Sequence, residues 1–345
     1  MSLIVRPAAE LRALVSGILL GLGATDVVAA RVSTALVESN LVGHDSHGVM
    51  RVPMYTAAIR AGTLNPAGAL TVVSETPATV FLDCGWNLGH YACAEAMQRV
   101  LAKAATQGIG LAVLRHCDHT GRIGEYVTLA AEQGFIGQMT CNGSSPGGLV
   151  APYGGRARAL GANPLAWAVP GGPGQPPVFL DFATSAAAHG KLEVAAAKGE
   201  PVPAGWIVDR DGRPTTDPRE GLEGGAILPF GGHKGYALGV MIELMGGALS
   251  GVGFPLMPDY RWDQGTVLTA INIAAFQPLA EFRANVGAFC ERLKAQPRAA
   301  GVEEILIPGE LEWRTRAQRE RDGIALPEVT WARLVDEARA VGLSA

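Results

Sequence analysis

Two short segments concentrate the side chains best suited to moving a proton near neutral pH: Gly43-His44-Asp45-Ser46-His47-Gly48 and His116-Cys117-Asp118-His119-Thr120-Gly121. Together they hold four of the seven histidines in 345 residues. Imidazole exchanges its proton close to pH 7, and neighbouring carboxylates and glycines tune and expose it. The pattern points to an enzyme with acid/base chemistry. The pairs His44/His47 and His116/His119 also have the i, i+3 spacing that puts two metal ligands on one helix face. Neither carries the HExxH arrangement and no cysteine pair supports them, so no metal is expected. Ser46 precedes His47, but no GxSxG elbow is present to suggest a serine hydrolase.

Arg51 follows His47 by four residues, so a helix beginning near Ser46 would raise its guanidinium on the imidazole's face. Arginine is the natural fork for a substrate carboxylate. A surface arginine paired with Asp45 is the equal alternative. His119-Thr120-Gly121-Arg122-Ile123-Gly124 joins an expected strand to an expected helix, where free backbone N–H groups would suit a pyrophosphate. No GxGxxG stands where a Rossmann turn would need it. The segments Asp181-Phe182-Ala183-Thr184-Ser185, His189-Gly190-Lys191 and Gly231-Gly232-His233-Lys234-Gly235 put His and Lys among small residues, where a packed core would put apolar groups.

Positioning these residues falls to elements readable from periodicity. Apolar spacing predicts helices over 8–22 and 26–41, the second capped by Asp26. Short strands follow at 70–73 and 79–82, then a helix over 92–106 and a strand over 110–114, at whose end the second histidine cluster sits. A helix over 123–133 precedes strands at 135–140, 165–169 and 178–180. The last third reads as helix over 234–249, 279–295 and 330–340, with Tyr236 to Ser250 expected to be a buried helix. The fold class is therefore mixed α/β without the regular strand–helix alternation of a doubly wound sheet. A helical N-terminal segment, 1–70, is expected to pack with a helical C-terminal segment, 235–345, around a central α/β part, 71–234.

Composition narrows the function classes. With 48% hydrophobic and 17% charged residues the chain can bury a large core. A net charge of -4, with Lys and Arg scattered, argues against a nucleic-acid partner. Tyr236 to Ser250 runs about fifteen residues, against the roughly twenty that a membrane span needs, so no membrane is expected. Five cysteines, odd in number and without CxxC, read as reduced thiols. Met1 to Pro7 lacks the marks of a secretory signal, which makes the cytoplasm the expected location.

Gly43 to Gly48, Asn163-Pro164, Asp181 to Ser185, Gly205-Trp206 with Pro214 to Pro218, Gly232 to Tyr236 and Pro308-Gly309-Glu310 occur in an order and spacing that resemble the non-Rossmann malate/L-lactate dehydrogenase family. The matches span nearly the whole chain. The resemblance implies the mixed α/β fold of the sulfolactate/malate dehydrogenase type, a homodimer, and NAD as cofactor with NADP as the alternative. It implies hydride transfer to or from C2 of a small 2-hydroxy/2-oxo acid. The alternatives are reduction of a cyclic imine carboxylate and, behind it, a metal-dependent hydrolase or lyase built on the HxxH pairs.

By position, the resemblance makes His47 an acid/base or cofactor-contacting residue, Ser46 its relay partner, His119 a proton acceptor, and Arg51 with Asn163 the substrate contacts. Gly121, Arg122, Ile123, Phe179, Leu180, Asp181, Phe182, Ala183, His189, Gly190, Gly232, His233, Lys234, Gly309, Glu310, Leu311 and Glu312 would line the dinucleotide. Glu310 and Glu312 lean towards NAD, Arg314 and Arg316 against. Lys191 stands where the imine reductases carry an aspartate, which weakens that alternative. Asp118 stands where many members carry Asn or Ser, and a carboxylate there would raise the pKa of His119.

Overall fold

The computed structural model describes residues 2–143 and 145–343. The chain opens with β1 (Leu3–Arg6), α1 (Ala8–Gly21), α2 (Asp26–Leu41) and α3 (Val52–Arg60). Next come β2 (Thr71–Glu75), β3 (Thr79–Asn87), α4 (Gly89–Gln107), β4 (Ile109–Cys117), α5 (Gly124–Glu132), β5 (Phe135–Cys141), β6 (Pro164–Val169) and β7 (Val178–Ala183). A lobe of α6 (His189–Lys198), β8 (Ile207–Val208), β9 (Pro214–Thr215), α7 (Pro218–Leu222) and β10 (Ala226–Ile227) leads to α8 (His233–Glu243). The chain ends with β11 (Thr266–Asn272), α9 (Leu279–Lys294), α10 (Glu310–Asp322), β12 (Ile324–Pro327) and α11 (Glu328–Ala340).

A seven-stranded sheet in the order β2-β3-β4-β11-β5-β6-β7 forms the centre. Within it β3 and β4 are parallel and joined through α4, while the other neighbours are antiparallel. A sheet with one parallel pair has no place for the strand-order reversal of a Rossmann fold. Leu82 of β3, Leu114 of β4, Leu268 of β11 and Met97 and Val100 of α4 are fully buried in one core. A second core joins Leu11, Val15 and Ile18 of α1, Val32 and Leu36 of α2 and Tyr55 of α3 to Leu326 of β12 and Leu334 of α11. The antiparallel pair β1–β12 ties the two chain ends directly.

Three expectations change. Thr25, not Asp26, caps α2, its hydroxyl accepting the Val28 N–H at 3.3 Å. The C-terminal third is not wholly helical. Thr266–Asn272 is a strand in the middle of the sheet, paired on both edges, so a short β-branched run declares itself only once its neighbours are in place. The helix from Tyr236 is not buried either. It turns Gly235, Gly239 and Ile242 inward, where Gly239 passes close to Thr184, and leaves Met241, Leu244 and Leu249 about half exposed.

Leu114 lies fully buried on the strand that leads into the second histidine cluster. Leu114→Ala is expected to destabilise the fold by about 2–5 kcal/mol, measured by urea denaturation.

Candidate active site

The first histidine cluster follows α2 through a turn organised by Asn40, which is buried near the end of that helix. The Asn40 Oδ1 accepts the Val49 N–H at 2.9 Å, and its Nδ2 donates to Asp45 at 2.6 Å. A Cβ on Gly48 would lie 2.2 Å from that Oδ1, so glycine is required for the cap to close. Arg319 of α10 grips Asp45 with both amino groups, at 2.7 and 3.0 Å. The turn therefore hangs between the first helices and the last, and Asp45 is not available to Arg51. Instead Arg51 Nε donates to the Ser46 carbonyl at 2.6 Å, folding the guanidinium back over the turn. The Ser46 hydroxyl reaches Nδ1 of the adjacent His47 at 3.0 Å, a contact that neighbouring residues seldom make.

The second cluster leaves the sheet at the end of β4. His119 stacks on His47 with ring centroids 5.8 Å apart and planes at 15°. Its Nδ1 shares a hydrogen bond of 2.7 Å with the Tyr55 hydroxyl from α3. His90, at the start of α4, stands edge-on to both Tyr55 and His119, at 5.4 and 6.2 Å. It is 1% exposed, and neither ring nitrogen has a partner. Gly121 adapts to it: a Cβ there would lie 2.3 Å from His90 Nε2. Sequence reasoning passed over His90, since a lone histidine opening an apolar helix has no cluster to mark it. Tyr55, buried in the core of the chain ends, is also a member of the site.

The two HxxH pairs do not act as pairs. His44 turns to Glu312 at 3.3 Å, and His116 turns to Asp83 at 2.9 Å while stacking on Trp86. Among the described residues no three His, Cys, Asp or Glu side chains are grouped to hold a metal ion.

Burial dominates the electrostatics. It pushes His47 down to about 4, with Arg51 adding to the effect, and His90 down to about 3. His119 falls well below 6.5 for the same reason, with His47 and His90 contributing. Asp118 does not raise it. The Asp118 carboxyl accepts the His119 N–H at 2.7 Å and is itself pushed up to about 6 by burial. Tyr55 is raised by burial and stays a phenol.

The residues expected around a dinucleotide separate into three places. Phe179, Leu180, Asp181, Phe182, Gly309, Leu311 and Glu312 line one groove of about 350 Å³, between β7 and the start of α10. There Gly309, at φ +90°, lies so close to Phe179 that a Cβ would come within 2.6 Å of its ring. Ala183 ends β7, while Glu310 turns away to Lys294 and Arg314. Gly232 lines a second cavity of about 400 Å³ with Tyr153 and Phe230, and the His233 ring meets Tyr153 beside Lys234. Phe182 and Phe230 touch edge-to-face, so these two hollows adjoin. His189 and Gly190, in contrast, open α6, and His189 faces a small void with Leu192 and Arg158.

Two expectations are corrected here. The N–H of Gly124 at the start of α5 does not await a pyrophosphate, because Asp181 accepts it at 2.7 Å. Asn163 is fully buried and its Nδ2 donates to Gly239 O at 3.0 Å, tying β6 to α8 and leaving no surface for substrate. Gly121 and Ile123 are buried with Arg122, whose guanidinium is 6% exposed with Nε and Nη1 unpartnered. The Asp181 and Glu312 carboxylates lie within its electrostatic reach, and the two unpaired donors could take a further anionic oxygen. Beside a flat-floored groove, this guanidinium fits a nucleotide cofactor.

Residues 7–335 match the family described as malate/L-lactate dehydrogenase. The chain is 36% identical to the L-sulfolactate dehydrogenase of Methanocaldococcus jannaschii over 99% of this chain and 98% of the relative. The solved structure of a sulfolactate dehydrogenase from that organism superposes with a TM-score of 0.90, 34% identity and coverage of 99% and 98%. Hydroxycarboxylate dehydrogenase B of Escherichia coli is 35% identical over 97% of this chain and 94% of the relative. The Δ1-piperideine-2-carboxylate reductase of Pseudomonas syringae superposes with a TM-score of 0.86 at 31% identity, covering 97% of this chain and all of that one.

The depressed imidazoles make the fold sensitive to acid. Below 6.5 the unfolded chain protonates His47 and His90 while the folded chain refuses until about 4 and about 3, so stability rises with pH across that window. Asp118 acts oppositely between 3.8 and about 6, and the raised carboxyls of Glu132, Asp181 and Asp263 act in the same sense, while the depressed His119 adds to the effect of the two rings. Thermal midpoints are expected to fall as the pH drops from 6.5 to 4, and to fall less steeply in His90→Gln.

Proposed function

The chain belongs to the malate/L-lactate dehydrogenase family, and from this premise we propose that it transfers a hydride reversibly between NAD(P)(H) and C2 of a small 2-hydroxy/2-oxo acid. One observation carries the reading: the Ser46–His47 and Tyr55–His119 pairs stack ring on ring, with the Arg51 guanidinium close enough to depress both imidazoles. The groove along β7 and α10, with Arg122 at its side, would hold the dinucleotide. When bound, the nicotinamide ring supplies or accepts the hydride.

The protein's own part is binding, orientation and proton exchange. Arg51 clamps the carboxylate and fixes C2. With Nδ1 engaged by Tyr55, His119 has Nε2 left to exchange a proton with the C2 oxygen. Burial and Arg51 keep the empty site's imidazoles neutral; an acid seated on Arg51 brings negative charge beside them and raises their proton affinity. That change favours the protonated ring which reduction of a keto acid requires. Ser46 orients His47, which flanks the reacting centre.

Glu312, held below its usual range by His44, faces the groove and would repel a 2′-phosphate, which supports NAD over NADP. Lys191, 5.9 Å over the Trp206 ring, offers no carboxylate to a Ser46–His47 relay and favours an oxo acid over a cyclic imine. The exposed apolar residues Met241, Leu244, Met245 and Leu249 support a homodimer. A cytoplasmic location goes with this reading.

The deciding assay follows NADH and NADPH oxidation with pyruvate, oxaloacetate, phenylpyruvate, 2-oxoglutarate, diketogulonate and pyrroline-2-carboxylate. Turnover of an oxo acid is expected; turnover of the imine alone would replace the reading. Arg51→Ala should raise KM for the acid roughly 10- to 150-fold, the worth of one charged hydrogen bond. Tyr55→Phe should lower kcat and leave that KM nearly unchanged.

A further inference from the structure

The strand that leads to His119 ends in a conformation that needs support. His116 has φ +49°, in the left-handed region, which costs an L-residue about 1–2 kcal/mol. From that kink the chain leaves the sheet and presents His119 to Tyr55 three residues later. Directly behind the kink stands the segment leading into β11. There Asp263, 4% exposed, accepts the His116 N–H on Oδ2 at 2.9 Å and the Cys117 N–H on Oδ1 at 3.0 Å. The next residue continues the grip: Gln264 Oε1 accepts the Thr120 N–H at 2.8 Å, and its own N–H donates to the Cys117 carbonyl at 3.1 Å.

These four bonds bracket His119 on both sides. Two adjacent N–H donors require two acceptors, which a carboxylate offers and an amide does not. Among the described residues no Lys or Arg forms an ion pair with Asp263, although it is buried, and that burial raises its pKa. Holding a carboxylate inside a protein without a Lys or Arg partner is unfavourable unless its hydrogen bonds are needed there. The Tyr260 hydroxyl steadies the segment by donating to the Asp263 carbonyl at 2.6 Å. We infer that Asp263, assisted by Gln264, is a positioning residue for the proton-exchanging imidazole, holding the kinked turn so that His119 meets both Tyr55 and the substrate. The inference rests on the reading of His119 as the proton-exchanging group.

The test uses the full chain carrying Asp263→Asn, Gln264→Leu or Gln264→Glu, each also combined with His119→Asn. Asp263→Asn keeps one acceptor, loses the other and is expected to lower kcat roughly 10- to 100-fold, the effect of a misplacement near 1 Å. KM for the acid and the Kd for NADH should move little. Gln264→Leu should do the same more weakly, and Gln264→Glu, which keeps the acceptor, should restore turnover. In the His119→Asn background neither loss should lower kcat further, because both act through that ring. Nitrogen NMR of labelled imidazoles should show the His119 resonances moving while those of His44 and His189 stay.

An unchanged kcat in Asp263→Asn, an equal loss in both backgrounds, or a shift of all the histidines together would overturn the inference. If Asp263→Asn does not fold, the two Gln264 variants decide. If the unmodified protein turns over none of the acids, the functional reading fails separately, and the His119 resonances alone decide the positioning.

Discussion

The hydrogen bond from Tyr55 to His119 is the contact on which the rest of the molecule depends. Tyr55 belongs to the core built from the chain ends, and His119 belongs to the loop that leaves the central sheet. Neither core alone contains a site. Each supplies half of a proton-handling pair, and the pair exists only where the two are packed together. This explains why the chain ends are tied by β1–β12 and why Arg319, late in the chain, grips the turn that carries His47. A loosened chain end would reach the chemistry through Asp45 and the Asn40 cap, with no residue of the site itself altered.

The same seam sets the charge balance. The protein is acidic overall, yet burial and Arg51 depress the proton affinity of His47 and His119, and Arg122 lies buried with Nε and Nη1 unpaired. Such a site is poor in anions and rich in unsatisfied positive donors, so its natural complement is negatively charged. A small carboxylate and a phosphate-bearing cofactor, the ligands proposed above, would both meet that description. The carboxylates that are present are engaged: Asp181 caps α5, Asp45 is held by Arg319, and Glu312 is paired with His44.

Much of this was legible before the structure. The helices of the N-terminal hairpin and the strand leading to the second cluster follow from period and residue type, whereas the grouping of Ser46, His47, Arg51 and His119 is what the family resemblance implies. What was not legible shares one cause, that partners lie far apart in sequence. His90 is unremarkable until Tyr55 and His119 close on it. The N–H of Gly124 looks free until Asp181 arrives from 57 residues away. The family resemblance makes Asn163 a substrate contact, and in the fold its Nδ2 donates to Gly239 O, tying the start of a strand to a helix. Thr266–Asn272 has the composition of a strand, but a run of seven residues gains identity only from the neighbours on its two edges.

The absence of a Rossmann turn has a structural consequence for where a cofactor lies. In a doubly wound sheet the crevice arises where parallel strands diverge on either side of a switch point. With one parallel pair that crevice does not form, and the groove lies instead where β7 meets the loop before α10. Two features make it flat enough. Gly309 removes the side chain that would meet Phe179, and Trp313 props that ring from the far side at 5.6 Å while its Nε1 donates to Pro177. The groove floor is thus assembled from a strand in the middle of the chain and a helix near its end. This groove depends on the chain ends folding back onto the sheet, as the Tyr55–His119 pair does.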